Sequence, residues 1–500
     1  MTRIEPIRPR LHLEVLGADQ VQAIRSATLE VLETVGVHFP SERALRLFAG
    51  HGAQVDWERQ VVRLPSSLVV EALSHAPRTY TLSGRAPGTD LALDGRASYF
   101  GTDGCGTLTV DFETGQQRRS CKDDVARMAR VADYLSSVSF YWPMVSAQDY
   151  GRVAPLHELE ASFNNTVKHV QTETVMGMKP AQYAVRMAEV IAGDRERMRA
   201  NPPLSVLVCT IAPLGQDTAG IEAGMVYAEA GIPVGFMAMP NMGATAPATP
   251  SGALIVGNAE VVSALVLMQL VALAARGTGT PVFYSLLGSV MDPRTAEYIV
   301  SIPQKYLCNV AAVQLAHDWG VPVLAGAFGM DATEPASWQV GRDHVYTALL
   351  VPLAGAELVT GGGMLKASTF LVPEQLIYDD EVYHINRVVA EGIDTAANGL
   401  AVADAVGVIA AVGPRGHFLA QEHTRQQLRK VWIPELTHPR PIPSGSRTPA
   451  GAPVAGLRQR ARARLDQILA EHQPEPLDEA IRAELRAILN AAAQELGSAE

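Results

Sequence analysis

An α/β fold built on a closed TIM (β/α)8 barrel is predicted by three observations: short apolar runs, helix-patterned stretches between them, and the number of repeats. Runs rich in β-branched and apolar residues recur at 139–145, 169–174, 204–211, 233–239, 281–286, 321–325 and 357–360. Most lead into apolar residues at helical spacing, as in 218–230 and 259–276. Parallel strands joined by helices have both faces covered, and so many units in one chain favour closing the sheet on itself. Chemistry in such a barrel sits at the C-terminal strand ends, so candidate residues are sought on one rim.

The flanking segments extend this frame. Residues 17–73 alternate helical patterns with turns; 21–35 has helix-spaced apolar positions, and 41–50 reads as a short helix capped by Ser41. Brief strand-like pieces follow at 79–83, 91–93, 97–100 and 108–111, punctuated by Ala86, Pro87, Gly88 and by Asp94, Gly95. Together these predict an N-terminal helical and β cap over 1–120. The barrel is placed at 121–433, entered by a helix at 122–135 and followed by helical runs at 374–401, 403–412 and 423–431. A Pro-rich linker at 434–453 leads to two C-terminal helices, 454–469 and 477–496, within a last unit of 434–500. Their apolar residues recur at i, i+3 and i+4 with Arg and Glu outside, the pattern of packing or oligomerisation, and a homo-oligomer is expected.

Composition narrows the function. Hydrophobic residues make up 47% of the 500, enough for a large core. A net charge of −11 without a compact basic block argues against nucleic acid. The cysteines at 105, 121, 209 and 308 have no CxxC spacing, which disfavours a zinc or redox pair and a disulfide framework. None of the 13 histidines falls in an HExxH or His/Cys cluster, so no metal is expected. The N-terminus lacks an apolar signal region, and the longest mainly apolar stretch, 261–275, is too short to span a bilayer; a cytoplasmic protein with no membrane partner is expected.

Aromatics are only 6% of the chain, yet they gather where strands end: Tyr99 and Phe100, Tyr141 and Trp142, Phe236, Tyr284 and Phe328, with Trp338 just beyond. A wall of rings holds a cationic ammonium through quadrupoles and dispersion. Core packing is the competing account for every one of them. Glu173, between Thr172 and Thr174, is a carboxylate able to stabilise a cation or to accept backbone N–H groups. Arg342 and His344, where a loop enters a helix, are candidate anchors for an anionic substrate tail; a partly exposed helix histidine is the plainer reading. Gly361, Gly362 and Gly363 follow a strand and would let backbone approach a ligand, but the run lacks a phosphate-loop lysine.

Several stretches resemble the trimethylamine methyltransferase family of corrinoid-dependent enzymes. They are 108–133 with Asp123 and Asp124, then Pro213 and Leu214, then Pro240, Asn241, Met242 and Gly243, then 355–364, and finally 416–419 with His423, Thr424 and Trp432. The resemblance runs from about residue 20 to 495. It implies a TIM barrel that takes a methyl group from a small methylated amine and passes it to the cobalt of a separate corrinoid protein, the chain itself binding no cofactor. Trimethylamine-specific members use pyrrolysine inside the barrel, at a position estimated here within 331–344. This chain has only the standard amino acids, which points to the branch that resembles glycine betaine methyltransferase.

Chemistry agrees with that branch. A quaternary nitrogen departs as a neutral amine, so no general acid and no catalytic side chain are expected. The protein must orient a methyl group, exclude water and hold the cation without overstabilising it. The proposed cage is Tyr99, Phe100, Tyr141, Trp142, Phe236, Tyr284, Phe328 and Trp338, with Arg342 and His344 as anchors. A sulfonium donor such as dimethylsulfoniopropionate, and a non-catalytic sensor of methylated amines, are the alternatives left open.

Overall fold

A computed structural model describes residues 2–111, 114–327, 331–393, 400–437 and 456–497. Eight parallel strands form the wall: β1 (Tyr99–Thr102), β2 (Val138–Tyr141), β3 (His169–Thr172), β4 (Leu204–Ile211), β5 (Val234–Ala238), β6 (Val282–Leu286), β7 (Leu324–Gly326) and β8 (Leu358–Gly362). Each pairs with the next, β8 pairs with β1, and a bridge between Tyr284 and Val323 joins β6 to the start of β7. The sheet is closed.

One helix follows every strand: α1 (Lys122–Tyr134), α2 (Ala154–Asn165), α3 (Met178–Ala192), α4 (Thr218–Ala230), α5 (Pro250–Arg276), α6 (Pro303–Trp319), α7 (Trp338–Ala354) and α8 (Pro373–Glu391). All seven runs expected as strands lie in the wall. The eighth strand, β1, was placed with the N-terminal cap through the piece at 97–100. It belongs to the barrel, since Phe100 pairs with both Val359 and Val138. A small antiparallel excursion, Leu108–Val110 with Gln117–Arg119, separates β1 from α1 and breaks the rhythm there.

Helix α5 explains the most apolar segment. Its hydropathy would suit a membrane, but nearly all of that window is buried. Strands β5 and β6 cover one side, and helices Ala18–Thr34, Glu42–Gly50 and Ser66–Ser74 cover the other, so no face needs to be polar. Ser41 caps the second of these helices, its Oγ accepting from Ala44 N–H at 3.3 Å. The C-terminal helix Leu457–Glu471 packs on α8 and α1, and Glu479–Gly497 packs on α3. Arg462 pairs with Glu374 at 2.9 Å and His472 Nε2 lies 2.8 Å from Asp133 Oδ2, fastening the first, while Lys179 pairs with Glu495 of the second at 2.7 Å.

The barrel interior alternates large with small. Gly101 and Gly235 leave room for rings: a Cβ at Gly101 would lie 2.2 Å from Phe140, and one at Gly235 would lie 2.0 Å from Phe283. Below them the hairpin Tyr80–Leu82/Leu91–Leu93 closes the N-terminal end, its three leucines packing with Phe140, Phe283, Leu324 and Leu358. Tyr80 donates to Val282 O, and Ser83 N–H donates to Pro202 O, both at strand starts.

A candidate active site at the barrel mouth

The eight rings do not form one cage. Phe100 stacks obliquely on Tyr383 of α8 at 5.3 Å, and Tyr141 donates to Val125 O of α1 at 3.1 Å. Phe236 lies against α4, within 3.4 Å of where a Cβ on Gly224 would stand, and Tyr284 is fully buried in the same outer core. All four point into the helix layer. The cause is the two-residue period of a strand: of two consecutive aromatics only one can face inward. Tyr99 does face inward, but toward the bottom hairpin, where its hydroxyl accepts from Ala92 N–H at 3.1 Å. Trp338 is 85% exposed at the start of α7. Phe328 lies outside the described residues.

Trp142 and Glu173 are the predicted residues that reach the mouth. Trp142 is held by a reciprocal pair with Thr102, whose hydroxyl accepts its N–H at 2.9 Å and donates to its carbonyl at 2.6 Å. Its indole crosses Gly104, where a Cβ would fall 2.0 Å from Nε1. Glu173 is the next inward position on β3 after His169 and Gln171. Two thiols, from the ends of β1 and β4, converge on its carboxyl: Cys105 Sγ at 3.1 Å and Cys209 Sγ at 2.8 Å. Glu158 of α2 ties the neighbouring loops, accepting from Ser146, Ala147 and Thr174 at 2.7, 3.2 and 2.6 Å.

A second carboxyl, Asp103, stands on the same rim. It accepts from Gly104 N–H at 2.9 Å and from Ser368 Oγ at 3.0 Å. Burial, reinforced by the charge of Glu173 and opposed by these bonds, pushes Asp103 up to about 7. Burial also raises Glu173, against the thiol hydrogen bonds that favour its charged form. Burial and the charge of Glu173 hold both thiols far above their usual range, so they remain S–H donors. Across the mouth Lys305 of α6 is buried, donating to Ala327 O and to Thr347 Oγ1 at 3.2 Å, and burial lowers it to about 8. Met239, Leu287, Val300, Ala327 and Met364 pack together as the apolar side of the same rim.

Backbone strain concentrates here. Cys105, Ala327 and Ser368 take left-handed φ of 70°, 60° and 62°, a conformation costing roughly 1 kcal/mol or more for a residue with a Cβ. Asp103, Cys105, Cys209, Lys305 and Ser368 escaped the sequence reading. Counting inward positions from the strand ends would have found Asp103 and Cys209, since Tyr99, Gly101 and Asp103 share a face, as do Leu207 and Cys209. Nothing local marks Lys305 or Ser368.

The expected anchors are both held by protein partners. His344 is 1% exposed, with Nδ1 2.7 Å from Asp379 Oδ1, so it fastens α7 to α8. Asp379 also accepts from Gly363 N–H at 2.6 Å. The glycine run is thus needed for protein contacts: Gly363 (φ 81°) lies where a Cβ would meet Met144 at 2.1 Å. Arg342 is half-buried and donates to Ser301 O at 3.0 Å, on the loop beside β6 and β7. Among the described residues no group of three His, Cys, Asp or Glu is arranged to hold a metal.

An acid pair, two thiols, an indole and methionines at a barrel mouth suit a small cation with apolar substituents. Comparison with known proteins gives this geometry a family. The model for trimethylamine methyltransferase (MTTB) matches residues 3–497. The trimethylamine methyltransferase MttB of Desulfitobacterium hafniense (strain DSM 10664 / DCB-2) is 33% identical over 485 residues, covering 96% of this chain and 94% of that one. The glycine betaine methyltransferase of Desulfitobacterium hafniense (strain Y51) is 30% identical over 487 residues, covering 97% and 98%. The crystal structure of Methanosarcina barkeri monomethylamine methyltransferase (MtmB) aligns at 11% identity and a TM-score of 0.47, over 90% of this chain and 92% of that one. The chain belongs to the trimethylamine methyltransferase family of enzymes.

Proposed function

We propose that the chain removes a methyl group from a quaternary amine of the glycine betaine type and delivers it to Co(I) of a corrinoid held by a separate protein. The observation that carries this reading is the acid pair, Asp103 and Glu173, at the mouth of a barrel of this family. Family membership supports methyl transfer from a methylated amine; the choice of a quaternary donor rests on the mouth and on the absence of pyrrolysine from the chain.

The reaction is an in-line displacement at a methyl carbon: the C–N bond breaks, its electron pair stays on nitrogen, and a neutral tertiary amine leaves. No proton is required. The carboxyls attract the onium charge, Trp142 and Met239 shape the space around its methyl groups, and the apolar rim excludes water. Positive charge on nitrogen fades toward the transition state, so a fully ionised carboxylate would favour the ground state and raise the barrier. Asp103, half-ionised near neutrality, limits that grip. The acid pair thereby takes the role first given to an aromatic cage. Lys305 and Arg342, on the β6–β7 side, supply positive charge for a carboxylate tail.

The test is anaerobic incubation with a Co(I) corrinoid protein and, separately, glycine betaine, trimethylamine and dimethylsulfoniopropionate, with demethylated products measured by mass spectrometry. Dimethylglycine formation supports the reading. Product from the sulfonium alone would shift the donor to sulfur, and affinity without product from any donor would make the chain a sensor.

A further inference from the structure

Each carboxyl oxygen of Glu173 accepts one thiol hydrogen bond, Oε2 from Cys105 at 3.1 Å and Oε1 from Cys209 at 2.8 Å. Among the described residues it has no further hydrogen bond, and no Lys, Arg or His pairs with it. Two buried carboxyls elsewhere on the barrel are held differently. Glu158 and Glu260 each accept from a backbone N–H and from at least one side-chain hydroxyl. The thiols reach Glu173 from beyond β1 and from the end of β4. Cys105 does so from left-handed backbone, which costs energy wherever a Cβ is present. An S–H group is neutral and a weak donor. It fixes a carboxylate without cancelling its charge, as a lysine or arginine in ion-pair contact would.

We propose that Cys105 and Cys209 are positioning residues: they fix both oxygens of Glu173 and keep it ionised, while leaving its charge for the onium. The benefit to the onium rests on the reaction proposed above; the hold on Glu173 does not. The sign of the effect follows from the two bonds. Hydrogen bonds to a carboxylate favour its charged form, so losing both thiols raises the Glu173 titration. A cation at the mouth then meets less negative charge near neutrality. Among the described residues, the other ionisable groups of this rim are Asp103, Glu158, Tyr298 and Lys305. Asp103 is raised by the charge of Glu173, so it moves down as Glu173 moves up. Serine keeps a neutral donor at each position and alanine removes it. Both retain the Cβ, so the strain at residue 105 is common to all three side chains.

Infrared difference titration of the full chain, without donor or corrinoid, tests the assignment. The protonated-acid C=O band that Glu173→Gln removes reports Glu173, and the one that Asp103→Asn removes reports Asp103. Cys105→Ala with Cys209→Ala is expected to move Glu173 up by about one pH unit and Asp103 down. Cys105→Ser with Cys209→Ser is expected to bring both back toward the unaltered chain. Tetramethylammonium affinity at pH 7 should fall up to about tenfold in the alanine pair, and not when Glu173→Gln is already present. Should the alanine pair not fold, the S–H stretches of the unaltered chain decide. Those of Cys105 and Cys209, assigned by single serine variants, should lie at lower wavenumber than that of buried Cys308, which has no acceptor among the described residues. Glu173→Gln should move them toward it. A Glu173 titration that stays in place in the alanine pair, or thiol bands level with that of Cys308, overturns the proposal. The infrared readings need no methyl donor, so a failed onium reading would show in the tetramethylammonium affinities alone.

Discussion

The two ends of the barrel are built on opposite principles. The N-terminal end is shut by Leu82, Leu91 and Leu93 against Phe140, Phe283 and Leu358, a cluster of buried apolar side chains. The C-terminal end brings Asp103, Glu173, Cys105, Cys209 and Lys305 together and holds several of their neighbours in left-handed backbone. Burial raises both carboxyls and lowers the lysine, so holding any of them in its charged form carries a cost. A bottom that only has to stay closed needs apolar volume. On the proposed reading, a top that admits a cation keeps polar groups the fold would be more stable without.

That contrast can be broken from the bottom first. Phe283→Ala should lower stability by roughly 3–5 kcal/mol, because a buried ring is lost opposite Gly235 and the cavity cannot collapse; urea denaturation measures it. Asp379→Ala comes next. It removes one partner of the buried His344 pair and the acceptor of Gly363 N–H, and should cost about 3 kcal/mol. Combining it with His344→Ala should add much less than the sum of the two, by the same denaturation.

Changes at the mouth should move binding. Glu173→Gln is expected to weaken donor affinity about tenfold, near 1.4 kcal/mol, with little shift in the unfolding midpoint; calorimetry and a thermal melt read the two. A further effect is on pH. Asp103 sits at about 7 in the fold against an ordinary 3.8, so donor affinity should rise as pH increases through 7, and binding near neutrality should release protons. Stability has the opposite sign: a raised carboxyl favours folding below its folded pKa, and that contribution is lost as pH climbs from about 4 to about 7. Asp103→Asn should flatten both trends, which affinity and melting profiles across pH 5–8 would check (roughly the span of the titration).

The barrel was legible because its signal is periodic and long. Seven strands show as apolar runs with helices between them, and α5 betrays itself by being apolar all round. The eighth strand shows as the piece at 97–100 but was assigned to the cap, since Tyr99–Thr102 is short and an antiparallel excursion follows it. At the mouth, Glu173 and Trp142 stand where their places at strand ends put them. The aromatic cage was misjudged because adjacency in sequence was read as adjacency in space, whereas Phe100, Tyr141, Phe236 and Tyr284 are turned outward by the pleat. His344 was misread for a different reason. Its partner Asp379 is on the next helix of the barrel, a contact that tertiary packing alone creates.

The central claim is that the mouth recognises positive charge through carboxyl groups. Calorimetric affinities of glycine betaine and of 3,3-dimethylbutanoate, the same shape with carbon in place of the charged nitrogen, test it most directly. The expected result at pH 8 is at least about tenfold tighter binding of the betaine, about 1.4 kcal/mol, with the gap closing in a Glu173→Gln, Asp103→Asn variant. Equal affinity for the two molecules in the unaltered protein would contradict it.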